Sequence, residues 1–220
     1  MCGLDRGQSL PLIGMVLFLG VVFGWRPWLQ RRRHGTSGIL FLRSGDWRQR
    51  LRDALGIVLF ACLLGQAIVA VAQPESPSLL RASVGAIVMF GGLVFLVTAQ
   101  LNLGASWRIG IDEGARTGLV VTGFCRFCRN PIYLAILVFF AGYTILLPTR
   151  LSLLLLLGYF IGMRQQTLGE EAYLLRTHGD AYRDYARRVG RFLPGIGRLS
   201  WRRMISINLI SPEKPPVGLE

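Results

Sequence analysis

The sequence predicts an all-α polytopic membrane protein with five transmembrane helices. The last two form a C-terminal helical hairpin, and a cytosolic helical tail follows. Three observations predict it. Hydrophobic residues make up 52% of the chain, and the mean hydropathy is +0.45. The apolar side chains gather in five runs nearly free of charge, longer than a soluble core needs. Basic residues crowd into every second connection between those runs.

The first run, Leu10–Phe23, extends toward Leu29 and ends among Trp25, Pro27 and Trp28. Asp5 and Arg6 precede it and no small-residue cleavage pattern follows, so it reads as an uncleaved span with an aromatic belt. The second run, Ala54–Ala72, has Gln66 as its strongly polar residue. The third, Ala82–Ala99, carries Gly85, Gly91 and Gly92, which let a neighbouring helix approach closely. The fourth, Ile132–Leu147, and the leucine-rich fifth, Leu151–Met163, are separated by Pro148, Thr149 and Arg150 alone. Thirteen helical residues cover only about 20 Å of a hydrocarbon core about 30 Å thick. The last helix must therefore continue past Arg164 toward Glu170, or the pair is a shallow hairpin. Residues 1–99 thus form an N-terminal membrane part, 100–196 a C-terminal core, and 197–220 an interfacial and disordered end. Within that end, Leu199–Ile205 reads as a short basic amphipathic helix and Ser211–Glu220, with three prolines, as disordered.

Charge sets the orientation. The 26–53 connection holds eight arginines against Asp46 and Asp53, whereas 73–81 holds only Glu75 and Arg81. The 100–130 connection has four arginines, and the stretch from 164 onward has nine with Lys214. This alternation places the N-terminus outside and the tail in the cytoplasm, as in a bacterial inner membrane. The net charge of +13 belongs to these loops, so it speaks for anionic membrane lipids and against nucleic acid. Cys2, Cys62, Cys125 and Cys128 form no disulfide framework, because Cys62 lies inside an apolar run.

The chain is organised around Cys125–Tyr133, where a basic, turn-prone stretch meets the fourth run. Pro131 suits a first helical turn, which puts Arg129 and Asn130 at a helix mouth beside unpaired N–H groups, a place for an anion. The second pole is Glu170-Glu171, beyond the fifth run, and the hairpin returns both poles to the cytosolic surface. Neighbouring residues on a helix point about 100° apart, so at most one glutamate faces a site while the other meets water or an arginine. Arg129 reads equally as an interface anchor. Cys125-x-x-Cys128 offers two thiols and no third ligand at zinc spacing, so no metal is expected. Tyr182 and Tyr185 share a helix face, as packed core or as pocket lining, and Gly179 suggests a helix break before them.

The ordered set GFCRFCRNPIY (Gly123–Tyr133), Glu170-Glu171 and GDAYRDYARRVGRFLP (Gly179–Pro194) resembles integral membrane methyltransferases. These are the isoprenylcysteine carboxyl methyltransferases and the related phospholipid N-methyltransferases. The likeness covers roughly residues 100–194, and Leu103–Trp107 looks like the family's preceding segment. It implies S-adenosyl-L-methionine in a cytosol-facing pocket built by the C-terminal third, and a lipidic or isoprenoid substrate entering from the bilayer. By position, Arg129, Asn130, Tyr133, Glu170, Glu171, Tyr182 and Tyr185 become the cofactor-binding residues, with Arg129 and Asn130 at the reacting centre. Arg129 would hold the cofactor's carboxylate, and a glutamate its amino group or ribose hydroxyls. The chain departs from the family pattern at Asn130 (usually histidine), Cys125 (usually tyrosine) and Gly190 (proline in some members). The competing readings are an NADPH-dependent sterol-type reductase and a non-enzymatic scaffold or transporter.

The charge alternation carries its own test. A reporter active only outside the inner membrane should be silent when fused after Glu220 and active when fused within residues 74–80. A strong outside signal at the C-terminus would reverse the orientation.

Overall fold

The first apolar run is the beginning of a much longer helix. α1 (Leu10–Leu19), a π-helical stretch (Gly20–Trp25) and α2 (Arg26–His34) join into one continuous element. Pro27 lacks an N–H, and its ring crowds the carbonyl one turn back. The wider π turn just before it absorbs both defects. The helix thereby carries Arg26 and Gln30 inside, at 2% and 1% exposure, while Arg31, Arg32, Arg33 and His34 face outward. The computed structural model describes residues 7–35, 47–72, 77–107 and 118–199, which are largely helical, with no strand among them.

α3 (Trp47–Val71) and α4 (Leu79–Leu103) follow, the latter capped by the Ser78 hydroxyl, which accepts from the Arg81 N–H. α5 (Pro131–Leu146) then packs against α4 almost backbone to backbone. A Cβ built on Gly142 would stand 2.2 Å from the Met89 nitrogen, and one on Gly92 2.5 Å from the Phe139 nitrogen. Gly85 seats Leu146 in the same way, whereas Gly91 faces open space. Close helix approach maximises dispersion contact between the two helices. The core beside this pair is aromatic, with the Phe18 and Phe139 centroids 4.7 Å apart and Phe60 and Phe140 adjoining them.

Thr149 turns the chain into α6 (Arg150–Arg188) through a capping box, its hydroxyl accepting from the Ser152 N–H at 3.0 Å. α6 continues past Arg164, but it is not among the helices long and apolar enough to cross a membrane. Its 39 residues are interrupted at Gly179, where φ 52° and ψ −124° suit glycine alone and redirect the helix. Among the described residues, three helices are long and apolar enough to cross a membrane: Leu10–His34, Arg50–Val71 and Leu79–Ser106. α5, at 16 residues, spans about 24 Å and is shorter than a full crossing of about 30 Å. The expected amphipathic stretch after Leu199 and the tail at 211–220 lie outside the described residues.

Candidate functional site

Pro131 opens α5 as its first residue, with Asn130 as the N-cap. This fixes the direction in which the chain enters the helix. Just before it, Cys128–Asn130 runs parallel to Gly190-Arg191, where the chain leaves α6. The Arg129 N–H donates to the Gly190 carbonyl at 2.9 Å and the Asn130 N–H to the Arg191 carbonyl at 3.1 Å. Gly190 is required by space, since a Cβ there would lie 2.0 Å from the Leu193 carbonyl oxygen. The Arg191 N–H in turn donates to the Ile196 carbonyl, and the Leu199 N–H to that of Ala186. Residues 190–199 thus fold back over the end of α6.

Arg129 fastens this arrangement. Its Nε and Nη2 donate to Glu171 Oε1 at 3.2 and 2.8 Å. Nη1 donates to the Ala186 and Val189 carbonyls at 2.9 and 2.6 Å, and Nη2 also to the Gly197 carbonyl at 3.2 Å. A guanidinium has five N–H donors, and these five bonds use them all. Arg191 completes the cluster from the other side, giving Nε to Glu171 Oε1 at 2.9 Å and Nη2 to Oε2 at 2.6 Å. The expected poles therefore meet directly rather than across a ligand, and Arg129 has no N–H left for a cofactor carboxylate. Burial alone would raise the Glu171 carboxyl, but the hydrogen bonds from Arg191 and the charge of Arg129 hold it below its usual range. The same pairing raises the Arg191 guanidinium. Taken singly such ions are costly to bury; paired through the bonds from Arg129 and Arg191 they lock one geometry.

Glu170 points the other way, as the helical offset requires. It accepts from the Tyr133 hydroxyl at 2.5 Å and from Gln166 Nε2 at 3.2 Å. All three line a cavity of about 1060 Å³, at the upper end of ordinary small-molecule sites. Asn130, Tyr173 and Tyr182 reach the same space. The Asn130 side chain donates to the Arg191 carbonyl at 3.2 Å. Tyr182 is 2% exposed, and its hydroxyl has no hydrogen-bond partner among the described residues. Burial, with the charge of Glu171 behind it, raises that phenol. Tyr185 is also buried, but its hydroxyl is spent on the Cys125 carbonyl at 2.6 Å, with its ring edge-on to Tyr182. Beyond this polar end the cavity walls are apolar sides of α3 and α6, among them Leu55, Leu59, Leu155 and Gly158.

Cys125 and Cys128 are both buried, and burial raises both thiols, that of Cys128 to about 11. They pack as small apolar groups at the helix entrance. Among the described residues no three His, Cys, Asp or Glu side chains gather as metal ligands would.

Sequence reasoning missed Arg191 and Gln166 as members of the site. Gln166 lies one turn before Glu170 on the same helix face and was findable from spacing. Arg191 stands 20 residues from its partner, across the Gly179 break, where no periodicity links them. No family model matches the chain, and neither does any curated protein.

The cluster predicts an acid sensitivity with a definite sign. Glu171 is held below its unfolded value, so its stabilisation is complete above about pH 4.3 and is lost as pH falls through the lower folded value. Thermal unfolding in detergent should therefore show wild-type stability declining below about pH 4. Glu171→Gln leaves two buried guanidinium groups without a counter-charge. It should lose about 3–5 kcal/mol near neutral pH and show a flatter acid limb. Parallel pH profiles for the two proteins would contradict this placement of the charge.

Proposed function

We propose that this protein is a membrane-embedded methyltransferase that takes S-adenosyl-L-methionine at the arginine-rich, cytosolic face and methylates a lipidic acceptor. The observation that carries the reading is Glu170, a carboxylate set by Tyr133 and Gln166 at the polar end of a cavity otherwise walled by membrane helices. The motif order in residues 123–194 supports it. When bound, the cofactor supplies a methyl group on a sulfonium, which calls for in-line approach and exclusion of water rather than a nucleophilic side chain.

The residues present fit such a group. Glu170 would hold its cationic or hydroxyl-bearing part, with Gln166 and Asn130 beside it. The orphaned Tyr182 hydroxyl is the buried polar atom that a ligand satisfies. Arg129, Glu171 and Arg191 act as positioning residues: they hold the N-cap of α5 against residues 190–199 and so fix where Asn130, Tyr133 and Tyr182 stand. Tyr185 does the same for the Cys125 turn. The apolar walls exclude water and take up the acceptor's chain. In this reading α5 and the first half of α6 form a hairpin that brings the crossings to five in the inner membrane, with Arg31–Arg33 among anionic headgroups.

Calorimetry on the detergent-purified chain tests the proposal. S-adenosyl-L-methionine and its demethylated product should bind, and NADPH should not. Glu170→Gln should weaken cofactor binding at least about tenfold without lowering the unfolding temperature. Burial holds the Glu170 carboxyl above its ordinary range, against the hydrogen bonds from Tyr133 and Gln166 that lower it, and Glu171 adds to the rise. Gripping a cation requires the ionised form, so affinity should fall as pH drops through that raised value, and Glu170→Gln should abolish the dependence. Binding of NADPH alone, or unchanged affinity in Glu170→Gln, would overturn the proposal.

A further inference from the structure

The cavity has a second polar pole, on α4. Gln100 is 2% exposed and lines the cavity, and its side-chain Oε1 is enclosed with no hydrogen-bond partner among the described residues. A buried amide oxygen left unpaired is a standing cost that native structures rarely retain without a use. The surrounding geometry excludes a frayed helix end. Arg26 Nη2 donates to the backbone carbonyls of Gln100 and Gly104 at 3.3 and 2.9 Å, and Gln30 Nε2 to that of Ala105 at 3.1 Å. The Arg26 guanidinium also lies 4.5 Å from the ring centroid of Trp107, which is 2% exposed and lines the same cavity. The turn carrying Gln100, Ser106 and Trp107 is therefore pinned by hydrogen bonds and a cation–π contact.

We infer that this pole seats the headgroup of the lipidic acceptor, and that the headgroup carries a hydrogen-bond donor, a hydroxyl or an amine. The inference rests on the proposed transferase reading for the role of the ligand, but not for its chemistry. An amide oxygen only accepts, so its complement donates. Buried Asp53 lines the cavity from α3. It and its neighbour Arg52 hold partners of their own, which leaves Gln100 as the group that a ligand would satisfy. A carboxylate headgroup could meet the Gln100 side-chain NH2 but would leave Oε1 unpaired. The position also suits transfer: Leu103, one turn beyond Gln100, packs with the cluster of Tyr182 and Tyr185, so the two poles share a wall. Leu51, Leu55, Val58 and Leu59 of α3 continue the wall as a path for an apolar chain.

The test uses four probes that share one chain length: hexadecylamine, hexadecanol, palmitate and methyl palmitate. Each is titrated into the detergent-purified full-length protein and followed by native mass spectrometry. The amine and the alcohol should bind at least about tenfold tighter than the carboxylate and the ester, a difference of about 1.4 kcal/mol. Gln100→Leu should bring all four within about threefold of one another. Gln100→Glu, which only accepts when ionised and which keeps a polar group should leucine fail to fold, should retain the amine preference and increase it at a pH where the glutamate is ionised. S-adenosyl-L-methionine affinity should match wild type in both variants. Equal binding of the four probes by wild type, a preference that survives Gln100→Leu, or its loss in Gln100→Glu would overturn the inference. A headgroup preference in a protein that binds no S-adenosyl-L-methionine would uphold the donor site and refute the transferase reading.

Discussion

The structure around the cavity depends on one buried contact, the Glu171 carboxylate gripped between Arg129 and Arg191. Glu171 sits on α6, Arg129 precedes α5, and Arg191 lies in the segment that folds back after α6. The three side chains therefore join stretches that are far apart in sequence. Arg129 adds a second service: its Nη1 takes carbonyls at the C-terminal end of α6, where a cation is favoured and backbone oxygens lack helical partners. Because both functions come from one planar group, the mouth of α5 and the end of α6 cannot move independently. Glu170, Tyr133 and Asn130 inherit their positions from that constraint.

The same device occurs at the other pole. Arg26 reaches the last carbonyls of α4 as Arg129 reaches those of α6. In both cases an arginine from elsewhere in the chain, on α2 or just before α5, closes the C-terminal end of a helix next to the cavity. The cavity lies between two rigid corners, each with an orphaned polar atom, the Tyr182 hydroxyl and Gln100 Oε1. Pinned corners beside unsatisfied polar atoms are an arrangement suited to binding, since a ligand meets groups already held in place.

Much of the fold was legible. Apolar runs located the helices, Pro131 marked the start of α5, and Gly179 marked the break in α6. The angular offset between adjacent helical residues already sets Glu170 and Glu171 on different faces of α6. The continuation of the first helix to His34 was not legible, because Arg26 and the arginines beyond it read as a loop by charge, while tertiary contacts with α4 bury Arg26. The use of Arg129 was also hidden: a basic residue at a helix mouth suggests an anionic ligand, and only the fold reveals that Glu171 and the carbonyls of Ala186, Val189 and Gly197 already supply its acceptors. By sequence Gln100 is only the first residue of the 100–130 connection, since no local pattern announces an acceptor without a partner.

The central claim is that Arg129 builds the site by holding residues 186–199, and does so without any ligand. Amide hydrogen exchange of Arg129→Lys against wild type, both free of cofactor, tests it most directly. Lysine keeps the charge, but its three N–H donors on a point cation cannot reproduce a five-donor fork. The account predicts faster exchange across residues 186–199 in the variant, with protection in the close-packed α4–α5 pair unchanged. Wild-type protection across residues 186–199 in Arg129→Lys would contradict it and return Arg129 to the role of a ligand-binding group.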